Sequence, residues 1–202
     1  ASKVAGEEYP DINVSIRGAI SIAKRLQDPL AELVKIDPKH VGVGQYQHDL
    51  NQKKLNEALQ GVVENCVNSV GVDLNTASVS LLSYVAGISK GVAKNIVKYR
   101  EEKGVLKSRK ELLKVKRLGK KTFVQCAGFL RISDGDNPLD NTSVHPESYN
   151  VALKLIEKLG FSKEDIVKGK LRNMDRAIDD KELEKFANEL EVGLPTFNDI
   201  IK

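Results

Sequence analysis

Between Ile12 and Lys35 the chain reads INVSIRGAISIAKRLQDPLAELVK, and its apolar residues Ile16, Ala19, Ile20, Ala23, Leu26 and Leu30 recur at steps of three and four. That period puts them on one side of an α-helix. Pro29 lacks a backbone donor, so the helix is expected to break or restart there. The following stretch, IDPKHVGVGQYQHDLN, mixes Pro, Gly and polar residues and reads as a loop. Leu55, Leu59, Val62, Val63, Cys66 and Val70 then predict a second long helix, stopped by Gly71.

From Val72 onward the helical period persists, but its segments shorten. Asn75 or Thr76 is expected to cap a helix reaching Val85, and a tight turn at Gly87 leads into a helix with Val92, Ala93, Ile96 and Val97 facing inward. After Gly104 the layout returns. Ser108 can cap a short helix carrying Leu112, Leu113 and Val115, and a turn at Leu118 and Gly119 opens a helix with Phe123, Ala127 and Leu130. The two turns compare as AGISKGVAKNI and KRLGKKTFVQC. Beyond Arg131, SDGDNPLDNTSVHPESY is a turn-rich connector, and Ala152, Leu155, Ile156 and Leu159 predict a short helix ended by Gly160. Further helices are expected over 163–168, 181–190 and 196–201, with Leu183, Phe186, Ala187 and Leu190 on one face of the second.

Composition agrees with helix: there is no tryptophan, aromatics make up 5% of the 202 residues, and 41% are hydrophobic, enough for one or two small cores. No apolar run approaches the roughly 18 residues of a membrane span, and the N-terminus has no signal layout, so a cytoplasmic protein without a membrane partner is expected. Cys66 and Cys126 form no CxxC pair and are expected to be reduced and buried. His40, His48 and His145 lack ligand spacing, and no metal or other cofactor is expected.

Charge changes the picture more. The net charge is +4, yet residues 85–131 hold fourteen basic side chains against Glu101, Glu102 and Glu111, an excess of eleven that leaves −7 for the rest. Lysines are usually a solvated face, but a block this dense repels itself and suits a polyanion. The turns suit the same partner. The first turn of a helix has unpaired N–H groups and a partial positive charge, and glycine lets a phosphate come close to the backbone. In the first turn this singles out Gly87, Ile88, Ser89, Lys90 and Gly91, followed by Lys94 and Lys98 at four-residue spacing. In the second it singles out Arg117, Leu118, Gly119, Lys120 and Lys121. Ile88 and Leu118 would plug the turns into the core, and Gly87→Val is expected to weaken binding while leaving the fold largely intact. Each turn taken alone could be an ordinary glycine-capped helix join; its recurrence inside the basic block favours phosphate binding.

The segment Asp73–Ile132, with DLNTAS, GISKGVAKNIVKYR, LKSRKELLKVKRLG and KKTF, resembles a tandem helix-hairpin-helix domain. SIRGAISIAKRLQDPLAELVKIDPKHVGVGQYQHDLNQKKL before it and CAGFLRISDGDNPLDNTSVHPESY after it are similar to the Tex family of bacterial transcription accessory proteins. The usual hairpin turn is glycine, aliphatic, glycine; here the turns read Gly87-Ile88-Ser89 and Arg117-Leu118-Gly119, so the two are expected to bind unequally. The resemblance implies a fragment: residues 1–50 as the end of a YqgF-like, RNase H-like domain and a loop, 51–132 as a connecting helix and the tandem hairpins, and 133–202 as a connector and helical unit, without the OB-fold that follows in the family. The fold class is all-α, a tandem helix-hairpin-helix domain flanked by long N-terminal helices and a small C-terminal helical unit.

The implied partner is the backbone of DNA or RNA, with the transcription machinery beside it and no small-molecule substrate. Contacts to phosphate carry no base information, so binding is expected to be sequence-independent. No catalysis is expected. Asp11, Asp28, Asp37 and Asp49 have no strands to gather them around metal ions, and Tyr46, His48 and Asp49 share a loop without a nucleophile. A fragment of a repair or recombination enzyme, or a protein-interaction scaffold, are the alternatives. The acidic C-terminal unit is expected to serve protein contacts or to brace the hairpins.

Overall fold

The computed structural model describes residues 2–170, 186, 189 and 192–201. Three helices open the chain: α1 (Lys3–Glu8), α2 (Val14–Gln27) and α3 (Pro29–Leu33). The predicted break falls between the last two, where Asp28 accepts a hydrogen bond from the amide of Ala31 and Pro29 takes the first helical position, which needs no donor. No residue of α2 is buried; Ile16 and Leu26 of its apolar side are 56% and 90% exposed. The loop that follows contains two 3₁₀ turns, Pro38–His40 and Gln47–Asp49.

Helix α4 (Gln52–Val70) starts at Asn51, whose side chain accepts from the amides of Lys53 and Lys54, and stops at Gly71. Its register corrects the expected face. The residue sealed in the core is Val67, whereas Val62, Cys66 and Val70 are exposed. The expectation that both thiols are buried therefore holds for Cys126 and fails for Cys66.

Next come the short strand β1 (Val72–Asp73), α5 (Val79–Leu82), α6 (Lys90–Lys103), a 3₁₀ turn (Arg109–Lys114), α7 (Lys120–Cys126) and β2 (Leu130–Arg131). The strands pair in parallel, Val72 with Leu130 and Asp73 with Arg131, closing the repeat on itself. Asn75 and Thr76 do not cap α5. The Asp73 carboxylate takes both their amides, Asn75 turns away to exchange two hydrogen bonds with the backbone of Leu106, and Ser78 becomes the cap. Ser108 caps as expected, in a capping box with Glu111, although the element it opens is a 3₁₀ turn. One core gathers Val67, Leu74, Leu82, Ile96, Leu112 and Leu130 from these elements.

The second unit holds α8 (Tyr149–Lys158), α9 (Lys163–Val167) and α10 (Leu194–Ile201) around Leu139, Ala152, Leu155, Ile156 and Phe197. The helix expected over 181–190 lies largely outside the described residues.

Arg109 joins the two units. It is fully buried, and its guanidinium donates to the carbonyls of Thr142 and Val144 and to the Tyr149 hydroxyl, which donates in turn to Asp140 at 2.5 Å. Burial holds the Arg109 pKa below its usual value and the Tyr149 pKa above. Among the described residues no helix is long and apolar enough to cross a membrane.

Candidate nucleic-acid interface

The two turns match bond for bond at an offset of 30 residues. Val85 donates to Leu82 and Val115 to Leu112; Ile88 donates to Val85 and Leu118 to Val115; Ala93 donates to Ser89 and Phe123 to Gly119. Ile88 and Leu118 are 5% and 3% exposed, each driven into the shared core by its turn. The positive φ also repeats: Gly87 has φ 80° and Arg117 has φ 67°. Arg117 thus adopts the left-handed conformation that the first turn assigns to glycine, a conformation uncommon for other residues.

The helices brace each other's turns in the same reciprocal way. Asn95 of α6 donates to the Lys116 carbonyl in the second turn at 2.8 Å. Gln125, 30 residues later on α7, packs against the first, where a Cβ on Gly87 would stand 2.8 Å from the Gln125 Cβ. Gly87 therefore meets protein as well as solvent. Gly87→Val would clash there and strain φ, which corrects the expectation that the fold tolerates it.

The solvent side of both turns is basic. Lys90, Lys94, Lys98, Arg117, Lys120 and Lys121 are all exposed. Lys98 lies 3.7 Å from Glu102, an exposed pair that offsets part of its charge. The Ser89 hydroxyl accepts from the amide of Val92 and keeps its own hydrogen for another acceptor. Gly119 caps α7 without a side chain, so nothing from the cap covers the first amides of that helix, and a Cβ there would meet open space. Gly91 is exposed as well, and the nearest neighbour to a Cβ there is the Ser89 Oγ at 3.9 Å, an ordinary contact distance.

Three arginines of the basic block are used internally. Arg109 is buried, Arg100 donates to the carbonyls of Leu74 and Ala77, and Arg131 donates to those of Gly128 and Leu130. Burial lowers the pKa of each, that of Arg131 to about 10. The positive surface at the turns is thus mostly lysine.

A glycine turn before α9, without a counterpart among the sequence expectations, carries a similar string: Gly160-Phe161-Ser162-Lys163 parallels Gly87-Ile88-Ser89-Lys90, with φ 79° at Gly160, but Phe161 donates to Ile156, five residues back, where Ile88 donates to Val85, three back. Here Asp165 closes a capping box, accepting from the amide and hydroxyl of Ser162 at 3.0 and 2.9 Å, and pairs with Lys170 at 2.7 Å. Lys170 first, then Ser162, hold the Asp165 carboxyl below the usual carboxylate range. Tyr46, His48 and Asp49 are exposed in the surface loop, where His48 lies 3.2 Å from Asp49. Among the described residues no group of three His, Cys, Asp or Glu could hold a metal ion.

Comparison with known proteins gives three family matches: the helix-hairpin-helix motif over residues 67–131, the HHH domain over 137–202, and the Tex protein YqgF-like domain over 1–27. The chain is 54% identical to the transcriptional accessory protein Tex of Neisseria gonorrhoeae, over 100% of this chain and 26% of that protein. It is 56% identical to protein YhgF of Escherichia coli, over 100% of this chain and 25% of that protein. It is 38% identical to the human S1 RNA-binding domain-containing protein 1, over 99% of this chain and 25% of that protein. The chain thus spans about a quarter of the length of the curated relatives it matches.

Proposed function

We propose, from the premise that this chain is a Tex-family segment with tandem helix-hairpin-helix domains, that it grips the sugar-phosphate backbone of nucleic acid without reading sequence, as part of a transcription accessory factor in the cytoplasm. The observation that carries the reading is the doubled turn, two copies at one offset, each presenting exposed lysines beside the start of a helix. Amides and lysines at a helix start favour phosphate, whose geometry is the same in every base step. Contacts to phosphate fix position on the strand and carry no base information.

Salt dependence tests this. If Lys90, Lys94, Lys120 and Lys121 each neutralise one phosphate, log K against log salt has a slope of about −3.6 on B-DNA, from roughly −0.9 per contact. Replacing each with alanine flattens the slope by about 1 and weakens all sequences alike. Lys53 and Lys54 are the control. They are exposed at the start of α4, some 15 residues or ~22 Å along the helix from Asn68, which touches the first turn. Fluorescence anisotropy on a short duplex should show an unchanged slope for Lys53→Ala with Lys54→Ala. Equal losses from both sets would mean diffuse coulombic attraction and would sink the assignment.

The segment acts, in this reading, by binding alone. Incubated with nucleic acid and magnesium, the pure chain should leave the strands intact; cleavage abolished by a chelator would show an activity this reading does not contain.

A further inference from the structure

A cavity of about 600 Å³ opens where the two units meet, lined in part by Ser69 of α4, Gln125 of α7, Arg131 of β2, and Ser143, Ser148 and Thr196 of the second unit. No carboxylate stands among its described lining residues. Arg131 spends Nη1 on the carbonyls of Gly128 and Leu130, at 2.7 and 3.2 Å. Its Nε and Nη2 have no hydrogen-bond partner among the described residues, and neither is sealed from solvent. Gly71 makes room for this guanidinium, since a Cβ there would stand 2.8 Å from the Arg131 Cζ. The hydroxyls of Ser143 and Ser148 likewise make no hydrogen bond among the described residues.

A half-buried guanidinium without a carboxylate is costly in the empty protein, and burial already pushes its pKa down to about 10. A ligand that brings the missing negative charge offsets that cost. The free Nε and Nη2 form the planar, two-donor edge that matches two oxygens of one oxyanion. The neighbouring polar groups include the hydroxyls of Ser143 and Ser148, the Gln125 amide and the His145 ring, whose Nε2 lies 3.0 Å from the Val124 carbonyl and whose Nδ1 lies 3.4 Å from Glu147. The cavity also lies beside the first turn: Gln125 abuts Gly87, and Asn68, another lining residue, bonds the backbone of Tyr84 and Ala86.

We propose that this cavity binds a phosphate group, with the free edge of Arg131 as the charged anchor and Ser143 and Ser148 as neutral donors. The phosphate is either free or part of a nucleic-acid backbone running from the first turn; only the second source rests on the function proposed above.

Calorimetric titration of inorganic phosphate into the whole chain tests it. Saturable binding is expected, weakened at least tenfold by Arg131→Met and by Ser143→Glu, and unchanged by Lys90→Ala or Lys120→Ala. Arg131 also supports backbone carbonyls, so Ser143→Glu, at an exposed position, decides the matter if Arg131→Met fails to fold. Absence of saturable binding, or binding lost in Lys90→Ala and kept in Ser143→Glu, overturns the proposal. Given binding, a duplex salt slope flattened by about 0.9 in Ser143→Glu assigns the site to a backbone phosphate, and an unchanged slope assigns it to free phosphate. Hairpin lysines that fail to move the slope would overturn the preceding reading while leaving the calorimetric result standing.

Discussion

Arg117 occupies a backbone region that a side chain disfavours by about 1–2 kcal/mol, while glycine there gives back roughly 0.5–1 kcal/mol through the freedom of the unfolded chain. Arg117→Gly should therefore stabilise the protein, by about 0.5–1 kcal/mol in urea unfolding, and its lost charge should flatten the salt slope. Stability and affinity would move in opposite directions. Gly87→Val reverses the case: at φ 80° and against the Gln125 Cβ, a branched side chain should cost about 1–3 kcal/mol. A binding loss in that variant would have to be judged after its stability, and Lys90→Ala is the cleaner lesion.

The two cysteines report on α4 and α7 separately. Cys126 is fully buried and its thiol is pushed up to about 12 by burial, while Cys66 is exposed. In the native protein a thiol reagent should label Cys66 alone, and both after unfolding. The raised pKa also has a sign for stability. The folded state keeps the Cys126 proton up to about pH 12 and the unfolded chain releases it near 9, so stability is full below pH 9 and falls as pH rises, by at most about 1.4 kcal/mol per unit. Cys126→Ala should flatten that alkaline fall in urea melts repeated between pH 8 and 11. These elements also show what the residue pattern reveals. Steps of three and four located α2, α4 and α6, and the doubled turn was legible because Ile88 and Leu118 sit at matched places. The register of α4 was not, because its apolar residues serve two sides: Val63 and Val67 face the core, while Val62 and Cys66 line an apolar groove with Leu33 and Val41. Asn75 looked like a cap because its bonds to Leu106, 31 residues away, leave no local trace.

At the scale of the molecule, the basic block divides into lysines that face solvent and arginines that hold the fold. Arg109 counted as surface charge in the sequence, since nothing local distinguishes it from Lys110; its partners Thr142, Val144 and Tyr149 belong to the other unit. Arg109→Met should cost about 3–5 kcal/mol, because the Tyr149 hydroxyl and the carbonyls of Thr142 and Val144 lose a buried donor and the buried Asp140 loses its nearby positive charge. In thermal unfolding the intact chain should show one transition and the variant two, as the units separate. The same residue bears on how the protein meets force. Tethered through exposed positions 53 and 154, one in each unit, and stretched, the intact chain should yield in a single rupture, whereas Arg109→Met should give way in two smaller steps. A chain pulled along a strand it grips would then either hold as a whole or let go as a whole, and the fully buried guanidinium is what makes the two units share the load.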